Sequence, residues 1–596
     1  MSNIVPANPR SPGFHEQWDA VVIGGGLGGL SAAAHLAAAG KRTLLLERYS
    51  ALGGSSHVFR RKGGWEFDVG VHYIGDCGPT GQTPTLLRGL GIDMEFVQLD
   101  RNGHDIVVGP DFEMKVPTSW DGWLANLIAA FPADEKALRR FVGILRQSAE
   151  GMDRSRDVTG VRGYTRTMRR AGRYSPLLLA PTGAVQAACG MSPRAILAVS
   201  VQLGAICTTA GAAPVMAHAT LMENYLRSGA AYPRGGGQMF AAAFSDVVLS
   251  HGGEIRTSVA VNRILVENGQ VKGVETADGR AIGAHAVIAA GDILRTYRDL
   301  VGWEHLPAKL RKRAEAWKMG WPLINSFFGV QQDLSHTPNA NYYVIPTWDD
   351  ATSLRSLNAT AKRLLNHAHR RDPVEWARDM ADNQPTFVLT GTVRDPLHHR
   401  SAPEGCSAVE AQTLAPWAPH LWGLSEASIA DGTYRRSQRY GEIKEIVLDG
   451  MADRIERVFP GSRETTVFRE LGSPATQTRF THSTAGTCMG LEPRIGQVGP
   501  GRPGTKTPVK GLFLAGASTA YGPGTEGAMT SGRWAASAVV GRDLEAEVRA
   551  GRVLVDRRRL TSRPADFDPL KATRLLGRKR RGEEVALAAL PGGDEV

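Results

Sequence analysis

The chain has 596 residues, 42% of them hydrophobic and 22% charged, with a formal net charge of +11. That length exceeds one hydrophobic core and predicts more than one domain, and the ordinary balance of apolar and charged residues excludes disordered and fibrous classes. Five cysteines, Cys77, Cys189, Cys207, Cys406 and Cys488, are odd in number and far apart, with no CxxC pair, which excludes thioredoxin-type chemistry and gives no support to a structural metal.

The opening stretch MSNIVPANPRSPGFHEQW has no apolar signal-peptide region, so the expected location is cytoplasmic. The run AVVI that follows reads as a buried parallel strand, and LSAAAHLAAAG as an alanine-rich helix. Between them stand the glycines of a GxGxxG turn. Gly24 permits the tight turn, Gly26 lets the backbone approach a pyrophosphate, and Gly29 lets the helix sit close on the strand. The helix start, with Leu27 and Gly28, then offers free amides and its dipole to phosphate. A second strand, RTLLLE, ends in Glu47 beside Arg48, at the spacing where a carboxylate takes ribose hydroxyls. Strand, glycines, helix, strand and acid in this order predict an adenine-dinucleotide site, without choosing FAD over NAD(P).

The next segment narrows the choice. ERYSALGGSSHVFRRKGGWEFDVGVHYIG carries Gly53, Gly54, Ser55, Gly70, His72 and Tyr73, and GGSSHVF followed by WEFDVGVHYIG resembles the flavin-dependent polyene oxidoreductases, a family that includes phytoene desaturases, carotenoid isomerases and retinol saturases. Ser55 and Ser56 stand where the retinol-saturase type has cysteines, so no thiol role carries over. The resemblance implies an α/β fold: a Rossmann-like FAD-binding domain of the glutathione-reductase and amine-oxidase type, interrupted by an α+β substrate domain. It also implies that YPRGGG at Tyr232 reopens the flavin domain, that Val261 offers backbone groups to adenine, and that KGLFLAGASTAYGPGTEGAMTSG completes it. There Gly516, Ser518, Gly527, Ala528 and Met529 are the expected cofactor contacts, with a helix starting near Gly524 to Gly527. Relatives carry an acid just after the glycine matching Gly516, where this chain has Ala517 and Ser518. No second strand-GxGxxG-helix unit occurs, so NAD(P)H is expected only as a transient reductant, and the electron partner stays open.

The expected organisation is therefore flavin segments at 17–77, 232–295 and 476–541, a helical substrate- or membrane-facing insert at 78–231, a substrate domain at 296–475, and a basic tail at 542–596. Within the first insert, AILAVSVQLGAICTTAGAAPVMA is long enough to span a bilayer, but its Gln202, threonines, glycines and Pro214 fit buried helices lining an apolar cavity better. Arg162, Arg166, Arg169, Arg170 and Arg173, interleaved with Tyr164, Met168 and Tyr174, suit either a helix pressed on anionic lipid or a solvated helix packed on the core. Arg549 to Arg581 holds twelve Lys or Arg against three Asp, which suits an acidic surface or a solvated tail. Nothing else resembles a nucleic-acid module, so none is expected as partner. His398 and His399 lack a third residue at ligand spacing and read as loop residues rather than a metal site.

The resemblance implies an FAD-dependent oxidoreductase acting on carbon-carbon double bonds of a long apolar polyene or isoprenoid, by saturation, desaturation or isomerisation, with peripheral docking on the inner face of a membrane as the route to such a substrate. His72 and Tyr73 are the expected proton donors, with Arg479 and Thr481 as alternative cavity residues. An FAD amine oxidase of the same fold, marked by an aromatic cage, and a flavin-binding membrane scaffold without turnover are the alternatives.

Overall fold

The structure, a computed structural model, describes residues 14–152, 161–348, 372–564 and 566–577. The AVVI run lies in β1 (Glu16–Ile23), where Ala20, Val21 and Val22 are fully buried. Its glycine turn feeds α1 (Leu27–Ala38), in which every residue from Leu27 to Ala37 is buried, and the chain returns through β2 (Thr43–Leu46). Both flank β1 in a parallel sheet: β2 pairs with it on one side and β3 (Ala281–Ala289) on the other. Strand Glu254–Arg256 extends the sheet beyond β2, and β4 (Leu512–Leu514) pairs in parallel with the end of β3. The meander Val261–Glu267 and Gln270–Thr276 joins antiparallel to the start of β3. From β4 the chain enters α2 (Thr525–Val540), which packs along α1.

That packing is set by absent side chains. A Cβ on Gly28 would stand 2.8 Å from the Gly516 nitrogen, and one on Gly532 would stand 2.2 Å from the Gly28 carbonyl oxygen. Ser31 Oγ then donates to the Met529 carbonyl at 2.7 Å, and Ser531 Oγ accepts from the Gly516 N–H at 2.7 Å. Each of these small residues brings two backbones into contact, and each hydroxyl satisfies a polar group that this approach buries.

The two inserts form one sheet. Its strand order is Thr466–Gly472, Leu323–Val330, Ser407–Leu414, Thr386–Thr390, Asn341–Val344, Asp105–Val108 and Glu113–Val116. The last two strands come from the first insert, and Asp105–Val108 pairs in parallel with Asn341–Val344. The expected division into a helical insert and a separate substrate domain is thus corrected: the first insert supplies strands as well as helices, because its DIVV run is a buried strand that pairs on one edge with Glu113–Val116 and on the other with Asn341–Val344 of the second insert. Among the described residues no helix is long and apolar enough to cross a membrane. The segment after Ala195 instead forms helix Pro193–Ser200, a short 3-10 turn and helix Val215–Ser228.

The basic tail needs a second correction. Residues 542–564 and 566–577 are folded against the parallel-sheet domain. Leu544 is fully buried, the Leu52 N–H donates to the Thr573 carbonyl at 3.1 Å, and Gln238 Nε2 donates to Thr573 Oγ1 at 2.7 Å. Arg60 grips Asp568 through two hydrogen bonds of 2.8 and 2.9 Å. Apolar residues spaced among the arginines, which a charge count passes over, account for the packing: Leu554, Val555, Leu560 and Leu576 all lie against the core under α1. The run Arg578 to Arg581 lies outside the described residues, as do the side chains of Arg162 and Tyr164.

Gly532→Val is expected to lower stability by about 3 kcal/mol or more, the upper end of overpacking costs, because its Cβ meets backbone rather than a movable side chain; urea unfolding measures it. His218, buried in helix Val215–Ser228 with Nδ1 3.1 Å from Thr182 Oγ1, is driven down to about pKa 3 by burial. Unfolded, it titrates near 6.5, so between these values the unfolded chain binds one more proton. Its contribution to stability is full above pH 6.5 and is lost as pH falls toward 3. His218→Gln should flatten the stability-against-pH slope in that window by about 1.4 kcal/mol per pH unit relative to the parent.

Candidate cofactor and substrate cavity

The segments converge on a single cavity of about 800 Å³, within the ~300–1,000 Å³ typical of small-molecule and cofactor sites. At one end are the backbone of Gly24 to Gly28, the Gly53–Gly54 turn, Glu47, Val261 and the loop from Gly516 to Ser518. Gly24 sits at φ +103°, a left-handed turn that favours glycine, and a Cβ on Gly29 would stand 1.9 Å from the Gly24 carbonyl oxygen. A Cβ on Gly26, by contrast, would touch nothing nearer than 3.9 Å, so its bare face opens into the cavity.

Two helix N-termini, of α1 behind Gly26 and of α2 behind Gly524, face this space, and neither is capped by a side chain. Their free N–H groups and positive dipole ends suit a pyrophosphate and the electron-rich edge of a reduced flavin. Glu47 is partly buried beside them. Its Oε2 accepts from the Gly25 N–H and its Oε1 from the Tyr49 N–H, both at 2.6 Å, and each oxygen keeps a second lone pair for a ribose hydroxyl. Burial pushes its pKa up against the pull of those donors. An adenine dinucleotide carrying a flavin therefore fits the residues present.

The other end is apolar. Leu197, Val201, Ile206 and Leu221 of the first insert face Leu323 and Leu414 of the shared sheet. His72 and Tyr73 stand in the wall between the two ends. Tyr73 donates to or accepts from Tyr343 Oη at 2.9 Å and stacks on Tyr225 with ring centroids 4.6 Å apart. His72 Nε2 is hydrogen-bonded to the Gln412 side-chain amide at 2.5 Å, and its Nδ1 lies 3.3 Å from Glu410 Oε2. Burial drives the imidazole pKa down to about 3, so His72 is neutral at physiological pH, and it holds the Tyr73 hydroxyl well above 10. Behind His72, Asp68 accepts from Tyr232 Oη and from the Gly237 N–H at 3.1 Å, and burial raises its pKa to about 6.

Of the residues expected from sequence, Gly24, Gly26, Leu27, Gly28, Glu47, Arg48, Gly53, Gly54, Ser55, Gly70, His72, Tyr73, Val261, Gly516, Ser518 and Ala528 line the cavity. Gly29, Gly527 and Met529 do not. Gly29 seats α1 on the glycine turn, a Cβ on Gly527 would stand 2.5 Å from the Gly522 carbonyl oxygen, and Met529 is fully buried in the core that α1 and α2 share. The Ser518 hydroxyl accepts from the Leu491 N–H at 3.3 Å, tying two loops together at the place where relatives carry an acid. Thr481 lines the cavity; Arg479 does not, its guanidinium lying over the Phe480 ring. His398 pairs with Glu66 at 2.8 Å, His399 is exposed, and no cluster among the described residues has the makings of a metal site.

Glu410, Gln412, Tyr225 and Tyr343 escaped the sequence reading. Glu410 and Gln412 had a usable signal: an acid and an amide at i and i+2, hence on one face, within the buried strand Ser407–Leu414. Cys207 and Cys488 also meet, Sγ to Sγ at 3.3 Å, although 281 residues apart.

Residues 22–90 match the family profile of the NAD(P)-binding Rossmann-like domain, and residues 437–540 that of the flavin containing amine oxidoreductases. Fold and site together define a flavoprotein of the oxidoreductase class. Within that class the chain is similar to the all-trans-retinol 13,14-reductase of Danio rerio, at 24% identity over 559 residues covering 89% of this chain and 87% of that protein. It is similar also to prolycopene isomerase 1 of an Oncidium hybrid cultivar, at 24% identity covering 87% and 83%. The resemblance to the flavin-dependent polyene oxidoreductases therefore holds along most of the sequence. The fold is shared with cyclohexylamine oxidase from Brevibacterium oxydans, with a TM-score of 0.56 at 14% identity, covering 88% of this chain and 99% of that one.

Gly26→Trp, whose side chain has open space only toward the cavity, is expected to yield a folded but colourless protein, while Gly26→Ala keeps the flavin; the visible spectrum against the far-ultraviolet circular dichroism separates the two.

Proposed function

We propose that this protein is an FAD-dependent oxidoreductase acting on a carbon-carbon double bond of a long apolar polyene or isoprenoid, with saturation ahead of desaturation and isomerisation. The observation that carries the reading is the continuity of one cavity from two uncapped helix N-termini to an apolar end, with His72 and Tyr73 between them. The bound flavin would supply the exchange of a hydride with a substrate carbon. Gly24 to Gly28, Glu47 and the Gly516 loop would hold its dinucleotide, and the N-terminus of α2 would favour the negative charge of its reduced form. Leu197, Val201 and Ile206 would hold the chain of the substrate and exclude water from the reacting carbons. His72 is neutral and buried, so a proton at one of its ring nitrogens is available at the cavity wall without a charge to neutralise first.

The retinol reductase and the isomerase to which the chain is similar are named for polyene substrates, which favours this class. The amine-oxidase alternative requires facing aromatic rings with a slot between them. Here Tyr73 and Tyr225 stack on each other, and Phe387 lies 4.9 Å from Tyr343 and 5.9 Å from Tyr73, so the rings fill the space that an amine needs. Peripheral docking on the inner face of a membrane would bring such a substrate to the cavity, and the exposed Arg169 and Arg170 on helix Val161–Ala171 would face the anionic lipid.

Anaerobic photoreduction of the purified protein, followed by mixing with retinol or carotenoids, tests the reading. The expected result is flavin reoxidation with a product heavier by two hydrogens. Peroxide release with amines, and no reaction with any polyene, would overturn it.

A further inference from the structure

Glu410 is a buried carboxyl in direct contact with the cavity-lining His72. It sits on strand Ser407–Leu414, and its cross-strand neighbours Phe327 and Leu389 bring no charge. Its Oε2 and the Nδ1 of His72 are 3.3 Å apart, both inaccessible to solvent, and neither makes a hydrogen bond to any group, so each is a close unpaired neighbour of the other. Two buried polar atoms left to each other alone share a proton or carry an uncompensated desolvation cost. Glu410 itself does not line the cavity; His72 does, and so does Gln412, to which His72 Nε2 is hydrogen-bonded.

The groups around Glu410 fix its resting state. The Asp68 carboxyl repels a charge on it, the Asp68 N–H donates to it, and the Arg394 guanidinium attracts a charge. Burial outweighs the last two and holds the Glu410 carboxyl far above the ordinary carboxylate range, so it is an acid, while His72 is a neutral base. Arg394 is itself fully buried; it donates to Asn341 Oδ1, and its Nε and one terminal nitrogen have no partner. A cation held in place with spare donors is what a carboxylate formed nearby requires.

We propose that Glu410 is the proton reservoir of this site, delivering its proton through His72 to the substrate held in the cavity. The inference rests on the polyene reading above. In the direction of saturation, one carbon of the double bond takes a hydride. The neighbouring carbon uses the former π pair to form a C–H bond with the proton on His72 Nε2, and the N–H pair stays on the ring. Glu410 Oε2–H then breaks and the proton moves to Nδ1, which leaves a neutral imidazole of the opposite tautomer and a carboxylate facing Arg394. Gln412 presents either its carbonyl or its NH2 to Nε2, so it accommodates both tautomers. Desaturation runs the same transfers in reverse.

Three measurements on the flavin-loaded full chain test this. In the parent without substrate, infrared difference spectra against Glu410→Gln should contain a protonated carboxylic-acid C=O band at neutral pH that shifts in D2O. In anaerobic single turnovers, Glu410→Gln should be reoxidised by the polyene about 100-fold more slowly or worse, relative to its own reoxidation by ferricyanide, which takes electrons and no proton. Glu410→Asp should restore part of that ratio and Glu410→Gln none, a pattern that loss of packing alone would not give. An absent acid band, or a polyene-to-ferricyanide ratio equal to the parent's, overturns the reservoir while leaving the polyene reading intact. A parent protein that turns over no polyene overturns the functional reading, and the reservoir with it.

Discussion

The closest constraint in this molecule is the contact of backbone on backbone where α1 crosses α2. Gly28 against Gly516, and Gly532 against Gly28, leave no room for a β-carbon on Gly28 or Gly532. Everything at the flavin end of the cavity follows from that approach. It brings two helix starts, separated by 498 residues at the Ser31–Met529 hydrogen bond, to the rim of the same space. Were the helices held apart by ordinary side chains, the second dipole would point past the cofactor, and Ser31 and Ser531 would bury hydroxyls without partners.

The second constraint is that the substrate end is built by strand pairing across inserts. Asp105–Val108 lies parallel to Asn341–Val344, so the helices around Leu197 and Leu221 are held to the sheet that carries Glu410 and Gln412. A polar path thereby runs through an otherwise apolar wall. Asp105 accepts from Asn341 at 2.6 Å, Asn341 accepts from Arg394, and Tyr73, Tyr225 and Tyr343 cover it from the cavity side. Buried polar groups at this density are costly unless paired, and burial shifts the titratable groups gathered here, His72 downward and Asp68, Tyr73, Tyr343 and Glu410 upward.

The nucleotide half of the site was legible in the sequence because its chemistry is local: Gly24, Gly26 and Glu47 act through the conformation of their own strand-turn-helix, and the distal loop at Gly516 has its own glycine pattern. Gly29, Gly527 and Met529 belong to the same motifs but serve packing, a distinction that needs the distance to Gly24, Gly522 and Ser31. The wall around His72 and Tyr73 was less legible. Glu410 carried a signal in its i, i+2 spacing with Gln412, but that it would meet His72, with Arg394 and Tyr232 nearby, depends on the fold. The C-terminal segment misled for the opposite reason: its arginines dominate any composition count, while Leu544, Leu570 and Thr573 decide where it lies.

Because β4 and α2 follow both inserts in the chain, the groove that β1 and α1 open early has no far wall until both inserts have been made. The coenzyme bay therefore matures late in the order of synthesis. Until then the glycine turn and the greasy faces of both inserts stand uncovered together, the interval in which a nascent chain of this topology most needs a chaperone.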